Sequence, residues 1–203
     1  VRATLGLLLL VGASVTARAG ETAESATAVA SSFNEKLLAS MRNADSLGYS
    51  GRYAQLRPAV LATFDIPFMA EKVLGRRWGE LSEQDRELWR EVFADLLTAT
   101  YAGRFVGYRG QTFVTVGEEK AARDTLLVLT RLDDPSGDDV VINYRLRRTD
   151  AGWRVVDVYL KGTVSELALR RSEYSAVLER DGFPALLEAV RGKIAALERG
   201  EDR

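Results

Sequence analysis

The chain has 203 residues, 46% of them hydrophobic and 28% charged, with a formal net charge of −1. A chain of this size can bury a substantial core as one domain, or one plus a small appendage, and its charge balance supplies no global field to attract nucleic acid. It contains no Cys and no His, which removes disulfides, thiolate nucleophiles, His-based triads and the usual zinc and copper ligands, and weighs against catalysis.

The first segment reads as an export signal. Arg2 is followed by an apolar stretch from Leu5 to Val15, and Ala17-Arg18-Ala19 supplies a small-x-small cleavage pattern. The stretch is too short to cross a bilayer comfortably, which favours a cleaved signal over residues 1–19. The expected mature protein is periplasmic, with a single domain over 20–198 and a frayed tail over 199–203.

Val29, Phe33, Leu37 and Met41 recur at helical spacing and predict a helix from Thr22 to about Arg42. A turn is expected over Asp45 to Gly51, then a helix near Tyr53 to Thr63. Asp65 can cap a short third helix, with Pro67 in its first turn and Gly75 at its end. Ser82, backed by Glu83 and Asp85, caps a fourth that runs out near Tyr101 to Phe105.

The apolar period then shortens to two. Thr112–Val116, Asp124–Arg131, Asp139–Arg147 and Trp153–Leu160 read as four strands of an antiparallel meander. Glu118-Glu119-Lys120, Asp134 to Gly137 and Asp150 to Gly152 are the expected turns. Strict alternation places Val156, Val158 and Leu160 on one face, opposite Trp153, Val155, Asp157 and Tyr159. Two closing helices are expected over Ser165–Glu179 and Phe183–Glu198. Helices, a meander and helices again make an α+β domain.

None of the common nucleotide-binding, nucleophile-elbow or metalloprotease motifs is present. The acidic pairs Glu118-Glu119, Asp133-Asp134 and Asp138-Asp139 are expected in solvated turns without the ligand spacing of a calcium loop. No catalytic residue, metal or cofactor is expected. Phe64, Phe68, Phe93, Tyr101, Phe105, Tyr144 and Tyr159 read most economically as core, since periodicity does not distinguish a filled core from a hollow one.

An ordered set of segments goes beyond pattern. Phe64-Asp65-Ile66-Pro67-Phe68-Met69-Ala70, Val73-Leu74-Gly75-Arg76-Arg77-Trp78, the helix end Leu96 to Tyr101, the strand Trp153-Arg154-Val155-Val156-Asp157-Val158-Tyr159 and the element Arg171-Ser172-Glu173-Tyr174 follow one another. This set resembles the toluene-tolerance, MlaC-type family of periplasmic lipid-binding proteins, over about Phe33 to Leu197. The string from Tyr159 to Tyr174, with charged Glu166 and Arg170, and Asp181-Gly182-Phe183 look more like the family's hopanoid-associated, HpnM-type branch.

The resemblance implies helices packed on a curved four-stranded antiparallel sheet, with an apolar lipid pocket between them and no chemistry performed. Some thirty methylenes left in water would cost on the order of 20 kcal/mol at about 0.8 per methylene, which a carrier avoids. The implied ligand is a phospholipid or a hopanoid, shuttled by a monomer between an inner-membrane lipid transporter and an outer-membrane partner. By analogy the pocket draws on Phe68, Met69, Val73, Leu96, Tyr101 and Phe105 from the helices. Val128, Ile142, Tyr144, Val156 and Val158 would come from the sheet. Arg76, Arg77, Arg170 and Arg171 are candidates for head-group or partner contact. The alternatives are a non-carrying scaffold subunit with a filled core and, more remotely, a carboxylate-dependent hydrolase.

Overall fold

The computed structural model describes residues 24–201, so the export signal read over 1–19 lies outside the described residues. The first helix, α1 (Ala26–Arg42), starts at Ser25, whose hydroxyl accepts from the Ala28 amide at 3.1 Å. The next, α2 (Ala44–Thr63), takes in the segment expected as a turn over Asp45–Gly51. Gly48 adopts φ 59° and ψ −173° there, so one residue absorbs the break and the chain stays helical on either side. The buried Arg52 guanidinium donates to the carbonyls of Ala44, at 3.1 Å, and Ala102, at 2.9 Å, and fastens this segment.

The expected caps act at the next two helices. The Asp65 carboxylate accepts from the Phe68 amide at 3.2 Å to open α3 (Ile66–Leu74), and Gly75 closes it at φ 56°. A 3-10 turn over Gly75–Glu80 leads to α4 (Glu83–Arg104), opened by the Ser82 hydroxyl accepting from the Asp85 amide.

The sheet follows: β1 (Thr112–Ala121), β2 (Thr125–Asp133), β3 (Val140–Thr149), β4 (Gly152–Leu160) and β5 (Val164–Ser165), antiparallel and in chain order. The α+β class and the meander stand, with five strands among the described residues instead of four. The added β5 is two residues that fold back on Tyr159 and Leu160. Glu118-Glu119-Lys120 is not a turn but the second half of β1, opposite Val128, Leu127 and Leu126. As an edge strand with a register shift between Thr115 and Gly117, β1 can show polar side chains to water where a central strand could not.

A second irregularity sits in β4. Arg145 pairs with Asp157 but Leu146 pairs with Val155, which leaves Val156 as an extra residue. The bulge breaks the alternation: Val155 joins Val158 in the core, and Val156 turns to the other side. The α2–α3 junction hooks on at this point, the Asp65 amide donating to the Val155 carbonyl at 2.9 Å.

The last helix, α5 (Glu166–Arg199), joins the two expected closing helices across Gly182, which adopts φ 80° and ψ 179°, and Gly200 caps its end in the left-handed region. The helices pack mainly on one sheet face, with α3 and the start of α5 reaching round β4 to the other. Phe33 is at the centre of that core, edge-on to Tyr101 at 4.9 Å and to Phe64 at 5.1 Å between ring centroids. Trp89, fully buried, donates from its indole to the Ala70 carbonyl at 3.0 Å and joins α3 to α4.

Candidate functional site

The core is not filled throughout. A cavity of about 360 Å³ opens where the ends of α1 and α4 and the first turns of α5 stand off from the core face of β2–β4. Leu132, Ile142, Val158 and Leu160 line its sheet side. Met41, Met69, Leu97, Tyr101 and Leu167 line its helix side. The volume falls within the range of about 300–1,000 Å³ usual for small-molecule pockets, and the apolar lining suits an apolar guest.

Polar groups gather on the rest of the wall, among them Thr100, Arg104, Gln111, Asp134, Glu166 and Arg170. The Gln111 side chain bridges two loops, accepting from the Arg109 amide at 2.6 Å and donating to the Asp134 carboxylate at 3.1 Å. That bridge ties the α4–β1 connection to the β2–β3 hairpin beside the cavity. Arg170 is only 8% exposed, yet its nearest carboxylate partner, Glu166, is 3.8 Å away. Its other contact is the Tyr174 hydroxyl at 3.4 Å. A nearly buried guanidinium with loose partners can turn toward an acceptor on a guest. Burial pushes the Tyr101 phenol far above its ordinary range, so it meets a guest as a neutral group.

Met69, Tyr101, Phe105, Ile142, Val158 and Arg170 come together on this cavity. The other residues named from sequence do not. Val73, Leu96, Val128 and Tyr144 are fully buried in the core and line neither this cavity nor a second one. Phe68, Val156 and Arg171 line a separate cavity, Val156 because of the bulge. Arg76 is exposed and pairs with Glu179 at 3.2 Å, while Arg77 pairs with Glu80 at 2.8 Å. Neither lines either cavity.

Sequence reasoning missed Met41, Leu97, Leu132, Leu160 and Leu167 as lining residues. Met41 and Leu160 belong to apolar stripes, but a stripe residue beside a hollow has the same spacing as one in solid core. Glu166 and Arg170 had a signal of their own, since they are the charged residues that set the α5 segment apart, and both reach the cavity. Among the described residues no three acidic side chains converge as a metal site. No helix among them is long and apolar enough to cross a membrane.

The comparisons bear on this geometry. The family model described as MlaC protein matches residues 31–192. Among solved structures, a protein of Ralstonia solanacearum described as a phospholipid-binding protein in complex with a phospholipid has the same fold. The TM-score is 0.74 at 21% identity, and the match covers 85% of this chain and 98% of that one.

Proposed function

Since the chain belongs to the MlaC family, we propose that it is a lipid-binding carrier that holds the apolar part of a membrane lipid in the cavity between helices and sheet. The observation that carries this reading is the cavity itself: apolar side chains on both sides of a hollow, with Arg170, Arg104 and Gln111 on the same wall. A filled core, as a scaffold subunit requires, would have closed α4 onto Ile142 and Val158. The structurally similar Ralstonia protein holds a phospholipid, which supports a phospholipid here. The residues from Tyr159 to Tyr174 support a hopanoid instead.

The carrier works in the periplasm after removal of residues 1–19, and takes no catalytic part. It exchanges lipid with an inner-membrane transporter and an outer-membrane partner, which give direction to what binding alone would only equilibrate. The test is native mass spectrometry of the mature protein from a hopanoid-producing host, followed by lipid extraction, with an unrelated periplasmic protein as control. Stoichiometric phospholipid or stoichiometric hopanoid supports the carrier and identifies its guest. A folded protein that arrives empty and refuses added lipid would establish the scaffold instead.

A further inference from the structure

A second cavity, of about 590 Å³, lies against the opposite side of β3 and β4 from the first, and its lining differs in character. Lys72 of α3, Arg123 of the β1–β2 turn, Arg145 and Arg147 of β3 and Arg171 of α5 all face it. On a chain of net charge −1, five cations on one cavity are a pronounced local excess. The single carboxylate on the wall, Asp157, is already engaged: it accepts from the Ser165 hydroxyl at 2.6 Å and from the amides of Leu167, at 3.0 Å, and Val158, at 2.8 Å. Asp65 takes Arg147 at 2.6 Å, and Glu71 takes Lys72 at 2.5 Å. No carboxylate among the described residues pairs with Arg123 or Arg171; both are exposed, and the Arg171 guanidinium lies against Gly75.

Three of the cations are held in place. Arg147 and Lys72 both lie over the Phe68 ring, at 4.3 Å and 5.2 Å from its centroid. Arg145 donates to the Thr125 hydroxyl at 2.8 Å and to the Ala122 carbonyl at 2.7 Å. The second contact braces the turn that presents Arg123, a non-glycine residue at φ 59°. We infer that this cavity is a binding site for a phosphate-bearing anion, with the unpaired forks of Arg123 and Arg171 as its principal contacts. A tetrahedral dianion or diester offers acceptor oxygens to several guanidinium groups at once, which a lone carboxylate does less well. The inference does not rest on the lipid reading of the first cavity.

The source of the phosphate is either a free anion or the head group of an anionic lipid in a bilayer, and the experiment separates them. The mature protein is titrated at low salt with inorganic phosphate and with glycerol phosphate by calorimetry. In parallel it is sedimented with phosphatidylglycerol vesicles and with phosphatidylcholine vesicles. Saturable binding of either soluble anion, or selective sedimentation with phosphatidylglycerol, supports the site and names its source. Arg123→Gln with Arg171→Gln is expected to weaken that binding by roughly tenfold or more while leaving copurified lipid unchanged. In the unsubstituted protein, phosphate is expected to shield Arg123 and Arg171 from phenylglyoxal, read by peptide mass spectrometry, which keeps the test open should the double variant fold poorly. No binding in any arm overturns the inference, as does binding that survives the double substitution or leaves both arginines unshielded.

Discussion

The Tyr144 hydroxyl donates to the Asn34 side-chain oxygen at 2.7 Å in the interior, joining β3 to α1 across the core. Burial drives this phenol well above its ordinary pKa, so it is a neutral donor at neutral pH. Tyr144→Phe keeps the ring but leaves the Asn34 oxygen, 3% exposed as a residue, without its donor. The expected loss is about 1–3 kcal/mol in urea unfolding, with copurified lipid unaffected. An unchanged midpoint would mean that Asn34 finds another donor.

The two sides of the sheet predict opposite outcomes for one substitution. Ile142→Trp puts an indole into the cavity and is expected to displace most of the bound lipid with modest loss of stability. Val128→Trp, on the same face but in solid core, is expected to cost about 1–3 kcal/mol by overpacking while sparing lipid in the protein that still folds. Val156→Trp, turned away by the bulge, is also expected to spare lipid. Lipid mass spectrometry beside thermal unfolding distinguishes all three, and lipid loss in Val156→Trp alone would overturn the assignment of the cavity.

Gly182 predicts a stability effect without any contact. At φ 80° and ψ 179° it occupies a region essentially reserved for glycine, although the nearest atom to an added Cβ, on Pro184, is an unhindered 3.9 Å away. Gly182→Ala is therefore expected to cost about 1–3 kcal/mol through backbone strain alone. A thermal midpoint equal to that of the parent would show that α5 can straighten at this point.

Asp157 predicts an acid-range signature. Burial raises its pKa in the fold, against the hydrogen bonds from Ser165, Leu167 and Val158. A folded state that holds its proton more tightly gains from protonation, so this group's contribution to stability is greatest below its unfolded pKa. That contribution falls as pH rises through the raised folded value. Asp133 and Asp134 are shifted down and act with the opposite sign, losing their contribution as pH falls. Asp157→Asn removes the first slope and leaves the second, so denaturation midpoints measured from pH 3 to 7 should rise more steeply with pH than in the parent.

Much of this architecture was legible because local chemistry states it. Asp65, Ser82 and Gly75 mark helix ends by their own hydrogen bonds and backbone freedom, and Pro67 agrees with them. Legibility failed where one residue departs from a period. Gly48 reads as part of a turn because glycine usually breaks a helix; here its neighbours resume helical angles at once. Alternation puts Val156 with Val158 because it leaves no room for an extra residue. The cavity was least legible. Ile142 and Val128 are both buried aliphatics on inward strand positions, and only the distance of the facing helix separates lining from filling.

The strands are joined to their sequence neighbours by short turns, from Ala121 to Thr125, Asp133 to Val140 and Thr149 to Gly152. The first cavity, by contrast, is walled by Met41, Tyr101, Ile142 and Arg170, which are scattered along the whole chain. Closing short loops is fast, and bringing distant segments together is slow. The hairpins are therefore expected to form before the hollow does, with the cavity completed as α4 and α5 dock on the sheet. Substitutions on the helix side of the cavity wall, at Leu97 or Leu167, should then act mainly on the rate at which the protein opens, and those in the β2–β3 hairpin on the rate at which it folds.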